Sequence, residues 1–334
     1  MSASHLGSLD YALEIVEAAA RAGADAVKVQ TWTPGTMVGP ADYVLTSGPW
    51  AGRKLADLYA EAWLPWDWHK PIFDRAKALG MEGFASVFDP EALHFLETLK
   101  VPRYKLASFE LVDAYLVQLA AATGKPLILS CGMARKDEIH LAVQFARAAG
   151  CKELTLLKCT SAYPSKVADA NLSTMTDMWQ SFGCEVGLSD HTAGPLAAIA
   201  ATAMGASVIE KHLTIRRSDG GPDAGFSMEP DEFAAMVTGC RQAYQALGSV
   251  RYGPSQAERT QLGLRRSLYL AKDVKAGEVL RRAHVRSARP GLGLNPLQFT
   301  RVEGRRFVTD ARAGTPLTAS MLHCDNPQGV VPRA

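Results

Sequence analysis

No apolar stretch of this sequence approaches the ~20 residues needed to span a bilayer, which excludes a helical membrane anchor. There is no long basic run and the formal net charge is only +2, so nothing points to nucleic acid as a partner. An anionic ligand would have to be held by a local cluster. CxxC pairs are also missing. Six cysteines, Cys131, Cys151, Cys159, Cys184, Cys240 and Cys324, are scattered singly, which argues against a thiolate zinc site or a disulfide scaffold. They read as reduced thiols, several of them in strand-like runs. No basic-then-apolar leader opens the chain, so the expected compartment is the cytoplasm. With 47% hydrophobic and 21% charged residues in 334, the composition is that of an ordinary globular protein, long enough for one large domain and a small one.

From residue 8 to about 250, helical patterns alternate with short β-branched runs. Seven runs read as strands, at 25–30, 83–88, 104–108, 126–130, 154–158, 185–189 and 207–212. Helices are expected at 8–22, 69–79, 90–99, 111–123, 135–149 and 194–204, many of them ending at a glycine (Gly23, Gly80, Gly124, Gly150, Gly205) suited to a left-handed cap. Such alternation implies a parallel sheet, and its length points to a TIM-type (β/α)8 barrel over residues 1–250. A closed barrel needs an eighth strand, and the sequence opens almost directly with a helix. The first strand is therefore expected upstream of Met1, which would then be an internal methionine.

Residues 251–266 read as a polar linker, and 267–330 as a small β-rich domain. That domain contains a repeat: Asp273, Gly277 and Leu280 recur as Asp310, Gly314 and Leu317 at an offset of 37 residues. Two copies cannot form a solenoid, so pseudo-symmetry within one domain is expected.

In a barrel of this kind, catalytic groups gather at the C-terminal strand ends. His191 and His212 end two successive strand runs 21 residues apart. Neighbouring strands lie about 4.8 Å apart, so two imidazoles at matching ends could share one metal ion. Side chains two apart in a strand share a face, which pairs Lys28 with Gln30, Ser108 with Glu110, Ser189 with His191 and Glu210 with His212. Lys105 and Lys158 add positive charge, and Ser86, Ser130 and Ser161 add hydroxyls. Lysines and hydroxyls around one mouth suit a phosphorylated acid; two histidines there suit carbonyl polarisation through a metal. Each residue alone has a plainer explanation, as a helix cap, a snorkelling lysine or a satisfied core histidine. Trp63, Trp66 and Trp68 read as packing at a helix start.

At these motifs the chain resembles the sialic acid synthase family, most closely its pseudaminate branch. The marks are Gly23-Ala-Asp-Ala-Val-Lys-Val-Gln30, Tyr104-Lys-Leu-Ala-Ser-Phe-Glu110, Ser130-Cys-Gly-Met133, Lys158-Cys-Thr-Ser-Ala-Tyr-Pro164, Gly187-Leu-Ser-Asp-His-Thr192, Glu210-Lys-His212 and Arg217-Ser-Asp-Gly-Gly-Pro-Asp223. Arg289-Pro-Gly-Leu-Gly293 resembles the signature of an SAF, or antifreeze-like, domain. The resemblance implies condensation of phosphoenolpyruvate with an N-acylated amino sugar, here a 2,4-diacetamido-2,4,6-trideoxy hexose, to give a nine-carbon 2-keto acid and phosphate. It implies a divalent ion (manganese, magnesium or cobalt) on His191 and His212. Lys28, Ser86, Lys105, Ser108, Ser130 and Ser189 match positions that hold phosphoenolpyruvate. Glu110 matches a general acid/base carboxylate. Gln30, Ser161, Tyr163 and Asp223 match the sugar side, and Arg289 matches an arginine that a partner subunit places over the barrel mouth in a domain-swapped homodimer.

The chain departs from the family at four places. An acidic residue at the end of the first strand would fall immediately before Met1. Ser4-His5-Leu6-Gly7 keeps only the histidine of an Asn-His-Asn-Gly pattern. Val87 replaces a common proline, and Cys131 a threonine. An N-acetylneuraminate or legionaminate synthase shares the chemistry and is the nearest alternative. A non-catalytic sugar- or phosphate-binding barrel is the alternative from another class.

Overall fold

A computed structural model describes residues 1–39 and 43–324. The chain divides into two compact units, Met1–Gly248 and Ser249–Ala334. The end expected for the C-terminal domain, residue 330, lies outside the described residues.

In the first unit, seven strands pair in parallel in simple chain order: β1 (Ala26–Thr31), β2 (Glu82–Val87), β3 (Tyr104–Leu106), β4 (Leu127–Ser130), β5 (Leu154–Cys159), β6 (Glu185–Asp190) and β7 (Val208–Lys211). Each strand is followed by a helix that packs on the outer face, as right-handed βαβ crossovers require. These helices are His69–Ala78, Pro90–Thr98, Ala114–Ala122, Lys136–Ala148, Ser173–Phe182, Leu196–Ala203 and Pro230–Leu247, with Leu9–Arg21 preceding β1. Local chemistry sets their ends. Asp89 accepts from the Ala92 amide and Asp113 from the Leu116 amide, capping two N-termini. The five glycines expected at helix ends all take positive φ, from 73° at Gly124 to 99° at Gly150. The expected tryptophan packing is also present: Trp66 stacks on Phe95 at 4.6 Å just before His69–Ala78.

The main core lies between sheet and helices, with Leu106, Leu129 and Leu156 from the strands meeting Ile15, Ile72, Leu96 and Leu116 from the helices. The opposite, concave face has its own small cluster of Phe84, Ile128 and Leu157, with Val208 against it. These side chains fill the floor of the curl. Gly187 belongs to this layer, where a Cβ would lie 2.2 Å from the Val208 carbonyl oxygen and 2.7 Å from Leu157 Cδ2. Among the described residues no eighth strand closes the curl, and β1 and β7 are its two edges. A cavity of about 880 Å³ opens between them, lined by Lys28, Glu210 and His212 and, further out, by Ile15, Ala19 and Met236.

The second unit pairs β8 (Ser267–Leu270) with β9 (Val285–Ala288) in antiparallel register around a core of Leu268, Leu270, Val274, Leu280, Val285, Phe307 and Leu317. The repeat seen in the sequence is reciprocal in space. Asp273 accepts from the Ala313 amide, and Asp310 accepts from the Ala276 amide, both at 2.8 Å. Val274 bridges Ala311 between them. Among the described residues, no helix is long and apolar enough to cross a membrane.

Candidate active site

Strand register brings the expected residues into layers. One layer runs Gln30, Ser86, Lys105 across β1–β3, and another runs Cys159, Ser189, Glu210 across β5–β7. All of these face into the curl, above the Phe84 cluster. One step beyond the paired Asp190 and Lys211, His191 and His212 stand side by side with ring centroids 5.3 Å apart.

Glu210 organises the lower part of the site. Its carboxylate lies 3.6 Å from Lys28 Nζ and 4.0 Å from Lys105 Nζ, and it accepts from Ser189 Oγ at 3.4 Å. Burial opposes its ionisation, but the two ammonium groups outweigh burial and hold it down at about 2. Lys28 also donates to Ser86 Oγ at 3.0 Å. Lys105 is buried and donates to the Leu106 carbonyl; burial lowers its pKa while Glu210 counteracts. Two cations facing one carboxylate leave a positive balance, which suits an incoming phosphate or carboxylate. Nothing in the sequence around Glu210 marks it out; the fold sets its carboxylate between the two lysines. Lys158, by contrast, donates to the Cys159 carbonyl and Thr160 Oγ1, and its place between Leu157 and Cys159 turns it to the outer face.

The serines converge at the ends of β2–β6. Ser108 accepts from the Gly132 amide at 3.0 Å. A Cβ on Gly132 would lie 2.3 Å from Ser161 Oγ and 2.7 Å from Ser108 Oγ, so the absence of a side chain there lets both hydroxyls close on the site. Ser130 Oγ is buried without a hydrogen-bond partner among the described residues, as is Glu110 Oε2. Burial raises Glu110 to about 7, poised between donor and acceptor at neutral pH.

The two imidazoles differ. His191 Nδ1 meets the Thr160 carbonyl at 3.0 Å, a contact that leaves Nε2 as the nitrogen free to ligate. Burial works against protonation of His191, but the neighbouring Cys159 thiol, 3.8 Å away, more than compensates and raises it. The same contact overcomes the effect of burial on Cys159 and brings the thiol down to about 7. His212 is held well below its usual value by burial and by His191, so it is neutral, and its Nδ1 is buried with no hydrogen-bond partner among the described residues. The neutral His212 with its orphaned nitrogen, beside the unused Nε2 of His191, fits a divalent ion. Among the described residues, no cluster of three or more His, Cys, Asp or Glu side chains is arranged to hold a metal, so oxygen from water or substrate would complete the shell.

Beneath this pair, on the outward face, Asp190 and Lys211 form an ion pair at 2.6 Å with both side chains 1% exposed. Lys211 Nζ also donates to the carbonyls of Thr192 and Gly194, and Asp190 Oδ1 accepts from the Thr192 amide at 2.9 Å. This clamp ties the loop after His191 to β7.

Among the residues expected to meet the sugar, Tyr163 lies 4.4 Å ring to ring from His191, and Asp223 Oδ2 lies 3.7 Å from His212 Nδ1. Burial raises Asp223. Ser2 Oγ lies between Gln30 Oε1 and Asp223 Oδ2 and donates its one proton to the nearer Asp223 carboxylate. Arg289 belongs to the second unit, where it is exposed and directly follows β9.

Residues 15–252 match the NeuB family, and residues 265–323 match the SAF domain. The chain is 40% identical to pseudaminic acid synthase of Helicobacter pylori, over 96% of its own length and 95% of that protein. It is 36% identical to N,N'-diacetyllegionaminic acid synthase of Legionella pneumophila, covering 94% of this chain and 90% of the relative. In structure it is similar to the N-acetylneuraminic acid synthetase of Leptospira borgpetersenii, with a TM-score of 0.70 and 30% identity, over 78% of this chain and 87% of that one. By the breadth of this likeness, the chain belongs to the NeuB family, the sialic-acid-type synthases.

Proposed function

We propose that this barrel condenses phosphoenolpyruvate with a 2,4-diacetamido-2,4,6-trideoxy hexose, the reaction of a pseudaminic acid synthase. The observation that carries the reading is the in-register pair His191 and His212, set beside the Lys28–Glu210–Lys105 group. In this reading, Lys28 and Lys105 neutralise the phosphate and carboxylate of phosphoenolpyruvate, with Ser86, Ser108, Ser130 and Ser189 as hydrogen-bonding partners. Gln30, Ser161, Tyr163 and Asp223 orient the open-chain sugar. His191 and His212 hold a divalent ion (manganese, magnesium or cobalt), which when bound supplies Lewis acidity toward an aldehyde oxygen. The methylene carbon of phosphoenolpyruvate bonds to the aldehyde carbon, water oxygen adds at C2, and the C2–O bond to phosphate breaks. Glu110, half protonated near pH 7, moves the proton between the water and the new hydroxyl.

The assembly in this reading is a domain-swapped homodimer in which Arg289 of a second copy covers the mouth. Exposed Phe109 and Val112 flank Glu110 in the chain, and exposed Leu292 and Leu297 follow Arg289, giving apolar surface on both sides of such a contact. The cytoplasm is the compartment we assign, in keeping with six free cysteines.

Phosphate release from phosphoenolpyruvate, measured with a panel of N-acylated sugars and each metal, tests the reading. Release is expected with the 2,4-diacetamido-6-deoxy sugar and is expected to vanish in His191→Ala together with manganese binding. Release only with N-acetylmannosamine or a legionaminate precursor would move the substrate assignment; undiminished release by His191→Ala would overturn the mechanism.

A further inference from the structure

Between β1 and the helix Leu55–Ala62, the chain folds into a small hairpin. The Leu45 amide donates to the Arg53 carbonyl at 2.9 Å, the Gly52 amide to the Leu45 carbonyl at 2.7 Å, and Val44 bridges Lys54. Trp50 sits at its turn and reaches across to the loops that follow β5 and β7. Its indole N–H donates to the Pro222 carbonyl at 2.8 Å, immediately before Asp223. The indole lies 5.5 Å from the Tyr163 ring and 6.0 Å from Phe226. Tyr163 and Phe226 are 5.0 Å apart, and Phe226 is 5.1 Å from His212. Three rings therefore continue outward from the two imidazoles as one wall, at spacings typical of tilted and edge-on aromatic contacts.

The chemistry of this wall is one-sided. The indole N–H of Trp50 is already used by Pro222, and the side chain of Phe226 has no polar atom and is 8% exposed. What Trp50 offers a ligand is ring surface. Trp50 is one ring removed from the imidazoles, 5.5 Å from Tyr163, which itself lies 4.4 Å from His191, so a chain-like ligand held at the imidazoles and running along this wall meets the indole beyond Tyr163. With the aldehyde at the imidazoles, the far end of the sugar falls against the indole. The 6-deoxy sugar of the proposed reaction ends there in a methyl group.

We infer that Trp50 is a specificity-determining residue that selects a methyl over a hydroxymethyl group at the terminal carbon of the sugar, with Phe226, buried between the indole and His212, as the residue that positions it. This rests on the reaction proposed above. An apolar site that meets an added hydroxyl without a partner discriminates by about 100-fold. The test compares 2,4-diacetamido-2,4,6-trideoxy hexose with its 6-hydroxy counterpart, as kcat/KM for phosphate release, in wild type, Trp50→Leu, Trp50→Phe and Phe226→Leu. Wild type is expected to prefer the deoxy sugar by about 100-fold. Trp50→Leu and Phe226→Leu should each shrink that ratio about tenfold through KM for the sugar, with KM for phosphoenolpyruvate unchanged, while Trp50→Phe keeps most of it. A ratio unchanged within twofold in both leucine variants would overturn the inference. Calorimetric titration of the same two sugars gives the ratio without turnover. Should wild type release no phosphate with either sugar yet still bind the deoxy form more tightly in a Trp50-dependent way, the proposed reaction fails and the wall stands.

Discussion

The Lys211–Asp190 clamp sets a measurable stake in the barrel. Its three ammonium donors meet one carboxylate and two carbonyls, and neither side chain reaches solvent. In Lys211→Met the stem is kept in volume but the charge is gone, which strands an ionised carboxylate in the protein interior with the Thr192 amide as its remaining partner. Breaking a buried pair from one side costs about 3–5 kcal/mol, against a total stability of about 5–15 kcal/mol for a typical domain. The double variant Asp190→Asn, Lys211→Met removes the stranded charge while its amide oxygen still accepts from Thr192, so at least half the loss should return. Urea denaturation followed by tryptophan fluorescence reads this directly, because all six tryptophans lie in the first unit. Since the clamp anchors the loop carrying His191 to the strand carrying His212, manganese affinity should fall with stability in the single variant and recover in the double. A loss below about 1 kcal/mol in Lys211→Met, or a double variant no better than the single, would refute the reasoning.

Two further outcomes are expected. Glu110 has a folded-state pKa raised by burial to about 7 from an ordinary 4.5, so ionising it costs the folded barrel; stability present below pH 4.5 drains as pH rises toward 7, by an amount on the order of 3 kcal/mol. Glu110→Gln should abolish that slope, seen as the difference between wild-type and variant urea midpoints at pH 5 and pH 8; parallel curves would contradict it. In Gly132→Ala, the new methyl would push aside the Ser108 and Ser161 hydroxyls, which can rotate away. Melting temperature should change little, while KM for phosphoenolpyruvate rises at least about tenfold, roughly 1.4 kcal/mol of lost binding; an unchanged KM argues that Ser108 is not in its site.

The sheet was legible because each strand lies in a short, largely apolar run bounded by turn residues, and the parallel order follows from the helices between them. The histidine pair was legible for the same reason: its spacing is one βα unit. The helix Ser173–Phe182 did not declare itself, because Met175, Met178 and Phe182 carry its buried face among serines and threonines that dilute the pattern. Glu210 looked like any strand-end carboxylate until register put it between two lysines 77 residues apart in the chain. Trp50 gave no periodic signal, since it sits on a hairpin turn and gains its meaning from Pro222 and Phe226 far along the chain.

In the C-terminal unit, Asp273 secures the turn of the later repeat and Asp310 secures that of the earlier one. Neither half holds the residue that finishes its own bend, so a fragment carrying one copy would emerge from synthesis with a loose end and stay that way. Completion has to wait until the second copy arrives, which makes this small module gain its order late and all together.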